Sequence, residues 1–85
     1  MARVLMYTTR VCPYCQMAQK LLEKKGVTID KIAVDDMPER RQEMTQRAGG
    51  ATTVPQIFIG EHHVGGYREL AQLETRGELD ALLAQ

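Results

Sequence analysis

Two hydrophobic periodicities take turns along this chain. The apolar run Val4-Leu5-Met6-Tyr7, within Arg3 to Tyr7, is too short for a helix and reads as a buried strand. From Pro13 the spacing changes. Met17, Ala18, Leu21 and Leu22 recur at three- and four-residue intervals, which puts one apolar stripe on a helix. Lys24 and Lys25 fall in its last turn, where cations suit the helix dipole, and Gly26 follows as a terminator. Val27 to Val34 alternates with one slip in phase and reads as a second strand. Two strands joined by a helix in so few residues imply a parallel, right-handed βαβ unit.

A charged segment follows from Pro38 to Arg47, with Met44 as its main apolar contact and Gly49-Gly50 as its stop. Gln56 to Ile59 and Glu61 to Val64 flank Gly60 and read as a short antiparallel hairpin. After Gly65-Gly66 the helical spacing returns with Leu70 and Leu73, breaks at Gly77, and resumes with Leu79, Leu82 and Leu83. The order β-α-β-α-β-β-α, with a final helical segment, predicts an α/β fold: a four-stranded mixed sheet covered by helices. With no repeat, linker or biased tract, residues 1–85 are expected to form a single domain.

Composition narrows the function. Eleven basic and eleven acidic residues give no net charge, so no global field favours nucleic acid or an anionic membrane. The longest apolar runs hold four residues, against the ~20 that a membrane span needs and the ~7–15 of a signal-peptide core. The expected location is the cytoplasm.

There are two cysteines, Cys12 and Cys15, in the stretch Cys12-Pro13-Tyr14-Cys15. As a structural staple the pair is poorly placed. So small a loop stabilises by only about 2 kcal/mol in the chain-entropy model, and cytoplasmic thiols stay reduced. As a redox couple it is well placed. Proline favours the first position of a helix, so Pro13 makes Cys12 the N-cap and Cys15 the third helical residue. An N-cap side chain accepts from the amides of the second and third residues, here Tyr14 and Cys15. Those donors and the positive end of the helix favour thiolate over thiol, and the thiolate is the nucleophile. Cys15 lies one turn on, where it can resolve a mixed disulfide formed at Cys12. CxxC beside a βαβ pattern is a thioredoxin-like redox signature. Zinc is the rival, but four ligands would require His62 and His63, neighbours on a strand that point to opposite faces. No metal site is expected.

On these residues the chain resembles the dithiol glutaredoxins in their short bacterial form. Cys12-Pro13-Tyr14-Cys15 matches that family's active-site tetrad, Thr53-Val54-Pro55-Gln56-Ile57-Phe58-Ile59 its second block, and Gly65-Gly66 its third. The resemblance implies a thioredoxin fold with strand order 2-1-3-4 and three to four flanking helices. It implies that glutathione is a co-substrate, with no tightly bound cofactor, and that Pro55 is cis. A cis bond there presents the backbone of Val54 beside the Cys12 sulfur, where an extended peptide can add like a strand. Thr53 and Val54 would then be backbone contacts to glutathione, Tyr14 one wall of its site, and the Gly66 end of the third helix an anion site for its γ-glutamyl carboxylate.

The chain also departs from the family pattern. In place of an acidic pair after the two glycines it has Tyr67-Arg68-Glu69. Glu69 takes over the contact to the glutathione amine, or Arg68 pairs with its carboxylate, unless both are solvated. Thr9 stands where many relatives carry a lysine, leaving Arg10 or Arg41 to supply the cation. Gly49-Gly50-Ala51 is one residue longer than usual.

The resemblance implies a glutathione-dependent thiol–disulfide oxidoreductase acting on glutathionylated proteins and on small or protein disulfides; a monomer is expected because nothing in the sequence argues against one. Two alternatives remain. One is a glutaredoxin-like electron donor reduced by thioredoxin reductase, against which Pro13-Tyr14 weighs. The other is a protein in which Cys12 and glutathione hold a [2Fe–2S] cluster, against which a competing Cys15 weighs.

Overall fold

A computed structural model describes residues 2–85. The elements run β1 (Val4–Thr8), α1 (Pro13–Lys24), β2 (Ile29–Ala33), α2 (Pro38–Arg47), β3 (Gln56–Ile59), β4 (His62–Gly65), α3 (Tyr67–Thr75) and α4 (Leu79–Leu83). They build one four-stranded sheet in the order β2-β1-β3-β4. β1 pairs parallel with β2, while β1 with β3 and β3 with β4 are antiparallel.

Strand alternation sorts the core into two layers. Val4 and Met6 of β1, with Ile57 and Ile59 of β3, meet Ala18 and Leu22 of α1, Leu70 of α3, and Leu79 and Leu83 of α4. Tyr7 and Phe58 point the other way and meet Met44 and Ala48 from α2 and the residue after it. β3 is buried at every position. α1, α3 and α4 therefore cover one face and α2 covers the other.

α2 occupies the residues its sequence punctuation marks, with Pro38 at its start and Met44 as its one buried residue. Several expectations need correction. β1 runs Val4–Thr8 rather than Arg3 to Tyr7, and β2 runs Ile29–Ala33 rather than Val27 to Val34. Met17 is not in the buried stripe of α1 but 43% exposed; Cys15, Ala18 and Leu22 form that stripe. β4 begins at His62, not Glu61, because Ile59 pairs with His62 across the two-residue turn Gly60-Glu61. Gly60 takes φ 60° there, the left-handed conformation that a tight hairpin turn needs at its first position. Lys25 lies just past the last turn of α1 as its C-cap, and its Nζ reaches Glu74 at 2.8 Å and Asp80 at 3.0 Å, tying α1 to α3 and α4.

Candidate active site

β1 ends at Thr8, and a short loop carries the chain to Cys12. Cys12 is extended (φ −149°, ψ 98°) and caps α1, and Pro13 is the first helical residue. The Cys15 N–H donates to Cys12 Sγ at 3.1 Å. Of the two amides expected at this sulfur, only that of Cys15 bonds to it. The two cysteines are joined in a disulfide with their α-carbons 5.2 Å apart, and both are nearly buried, at 7% and 3% exposure. Val11 and Tyr14, on either side of Cys12 in the chain, are by contrast exposed.

Two depressions lie near this helix start. The larger is an open groove of about 760 Å³. Tyr14, Thr53, Val54, Pro55, Gly66, Arg68 and Glu69, all singled out from the sequence, line it. The Val54–Pro55 bond in its wall is cis. The smaller hollow, about 350 Å³, holds Cys12, Cys15 and Arg10. Tyr14, two residues past Cys12, links the cysteines to the groove.

Several charged groups have partners of their own. Arg10 Nε lies 3.0 Å from Asp35 Oδ2, and its Nη2 lies 2.9 Å from Asp36 Oδ2. The Arg10 backbone N–H, donating to the same Asp35 oxygen at 3.2 Å, is the main cause holding the Asp35 carboxyl below its usual range. Arg41 donates to the Thr52 carbonyl at 3.2 Å and lines neither depression. Glu69 Oε1 accepts from the Gly66 N–H at 2.8 Å, so the third residue of α3 caps the helix start by itself, glycine having no side chain to reciprocate. The amide expected to be free for a ligand carboxylate is therefore already engaged. Gly65 must be glycine here: its φ is 112°, and a Cβ would stand 3.0 Å from Glu69 Oε1.

Tyr67, Gln56 and His63 were not among the residues expected at the site. The Tyr67 ring stacks on Tyr14, with centroids 6.3 Å apart, and joins α3 to the helix bearing the cysteines. An aromatic at the first position of a helix facing the CxxC is the signal that could have found it. His63 was expected to be a solvated hairpin residue. It is exposed, yet its ring stacks on Phe58 and its Nε2 lies 2.7 Å from Gln56 Oε1.

A disulfide-forming cysteine pair with its first sulfur on a helix N-terminus is arranged for thiol–disulfide exchange. With the β2-β1-β3-β4 sheet behind it, the class is a thiol–disulfide oxidoreductase of thioredoxin fold. A family model for glutaredoxin matches residues 4–64. The chain is 55% identical over 84 residues to a glutaredoxin of Pseudomonas aeruginosa, covering 99% of both chains. It is 48% identical over 83 residues to glutaredoxin 3 of Escherichia coli K12, covering 98% of this chain and 99% of that one. Its structure is similar to a buckwheat glutaredoxin–glutathione complex, with a TM-score of 0.88 at 26% identity over 98% of this chain and 77% of that one. The chain belongs to the glutaredoxin family, whose reductant is glutathione.

Proposed function

We propose that residues 1–85 act as a single monomeric domain in the cytoplasm, reducing glutathionylated proteins and small or protein disulfides, with Cys12 as nucleophile and Cys15 as resolving thiol. The observation that carries this reading is the Cys15 N–H donating to Cys12 Sγ at the start of α1. In the reduced protein that donor faces a sulfur that can ionise, and a charge-accepting hydrogen bond stabilises the thiolate.

Cys12 thiolate attacks the glutathione sulfur of a glutathionylated protein. The protein sulfur leaves as a thiolate, and a Cys12–glutathione disulfide forms. A second glutathione thiolate attacks the bound glutathione sulfur, releasing glutathione disulfide and restoring Cys12 thiolate. With a protein disulfide, Cys12 first bonds to one substrate sulfur. Cys15 then attacks Cys12, frees the second substrate thiol and leaves the intramolecular disulfide, which two glutathiones reduce.

Glutathione lies along Thr53 and Val54 as an added strand, with Tyr14 as a wall and its cysteine turned toward Cys12. The groove that these residues line supports that pose. Arg68, exposed on the groove and without an ion-pair partner among the described residues, meets a glutathione carboxylate. Glu69, held against Gly66, meets its amine. Arg41, tied beside Thr53, is better placed for the other carboxylate than Arg10, which Asp35 and Asp36 already occupy.

A hydroxyethyl-disulfide assay with glutathione and glutathione reductase tests the reading, and steady turnover is expected. Failure there, together with direct reduction by thioredoxin reductase, would favour the electron-donor alternative and sink the proposal.

A further inference from the structure

We infer that Gln56 and His63 are positioning residues that orient the Val54 N–H for the tripeptide. The inference rests on glutathione lying along Thr53 and Val54.

Gln56 opens β3 and is 4% exposed. Its Nε2 donates to the Thr53 carbonyl at 3.1 Å and faces Thr53 Oγ1 at 3.4 Å. A carbonyl oxygen can only accept, so the end of the Gln56 amide facing it must be the NH₂. The other end is then an oxygen, which also only accepts. His63 Nε2, 2.7 Å away, must therefore carry the hydrogen and donate. The His63 ring is held for this by stacking on its cross-strand partner Phe58, with centroids 4.9 Å apart. The relay runs from the sheet edge at β4, through a buried amide, to the loop before Pro55.

Its consequence appears in one peptide unit. The Thr53 carbonyl and the Val54 N–H share a plane, and this bond is trans, the one cis bond among the described residues being Val54–Pro55. In a planar trans unit the N–H points opposite to the C=O. Turning the carbonyl inward to Gln56 turns the Val54 N–H outward. That N–H has no hydrogen-bond partner among the described residues, and Val54 lines the groove. An extended peptide adding alongside needs such a fixed, unpaired donor. Without Gln56 the unit can rotate, and the donor is no longer preset.

The test measures KM and kcat for two mixed disulfides of one model peptide, one with glutathione and one with cysteine alone. The rate of reduced Cys12 with a small aromatic disulfide is measured beside them. Gln56→Met, close in shape but without a donor, should raise KM for the glutathione conjugate about 3- to 10-fold, the worth of one hydrogen bond. The cysteine conjugate should shift far less, and the aromatic disulfide should react with Cys12 at the wild-type rate. His63→Phe keeps the ring over Phe58 but loses the donor, and should give a smaller rise of the same kind. In His63→Gln, whose amide nitrogen can stand where Nε2 does, most of the loss should be recovered. His63 is exposed, so its variants remain informative if Gln56→Met fails to fold. A wild type that prefers the glutathione conjugate, with variants that keep that preference in full, would overturn the positioning role alone. A wild type with no such preference would overturn the glutathione reading and this inference together.

Discussion

Replacing Cys15 with serine isolates the nucleophile and makes its activation measurable. The substitution removes the disulfide partner but keeps the backbone N–H of residue 15, the group that donates to Cys12 Sγ at 3.1 Å. A hydrogen bond to a charged acceptor contributes about 1.5–3 kcal/mol, and the helix N-terminus adds about 0.3–1 kcal/mol. Together they favour the thiolate by about 2–4 kcal/mol. At 1.36 kcal/mol per tenfold that strengthens the acid about 30- to 900-fold, and because the population cannot pass full ionisation, the thiolate at pH 6 should exceed that of an ordinary thiol by about 20- to 200-fold. Part of that gain is lost, because a stabilised thiolate is intrinsically less nucleophilic, by about 4- to 20-fold with a Brønsted slope of 0.4–0.5. The net expectation is an exchange rate about 5- to 10-fold above free cysteine at pH 6. An aromatic disulfide that releases a coloured thiol reads it directly in stopped flow. The rate should also level off at a lower pH than for free cysteine. A Cys15→Ser protein that reacts no faster than free cysteine at pH 6, and whose rate climbs with pH as an ordinary thiol's does, would refute the argument.

Other outcomes follow from the same geometry. Cys12→Ser should abolish turnover of every substrate, whereas Cys15→Ser should keep deglutathionylation and lose most reduction of protein disulfides; both are read in coupled assays with glutathione reductase. Met44 is fully buried and is the one buried residue of α2, so Met44→Ala should cost about 2–5 kcal/mol by urea unfolding. That is a large share of the roughly 4–13 kcal/mol expected for a domain of this size, and an unchanged midpoint would contradict it. Glu43 accepts from the Tyr7 hydroxyl, the main cause of a carboxyl held below its ordinary value, with Arg40 assisting. A depressed carboxylate stabilises the fold above its unfolded value, and that contribution fades as pH falls through the folded one. Glu43→Gln should therefore be less stable than the parent at pH 7, with the gap closing on acidification below the usual carboxylate range; a gap independent of pH would count against the assignment.

What could be read from the sequence was what neighbouring residues decide among themselves. Pro13, Gly26, Pro38 and Gly49 mark the limits of α1 and α2 because proline starts and glycine endings act over one turn. Cys12 as N-cap is local in the same sense, and so was an unused signal. Glu69 stands three residues after Gly66, the spacing of a capping box, and it answers the Gly66 amide that otherwise looked open to a ligand. What the sequence left unread lies where partners are distant. Arg10 finds Asp35 and Asp36 across 25 or more positions, Tyr14 finds Tyr67 only once α1 and α3 pack together, and His63 finds Gln56 across a hairpin whose turn holds two residues. Long charged side chains make the difficulty worse, since several partners lie within reach and the fold selects among them. Cysteine chemistry was accordingly legible from four consecutive residues. The charge pattern around a tripeptide was not, because it depends on which arginines the protein has already committed to its own carboxylates and carbonyls.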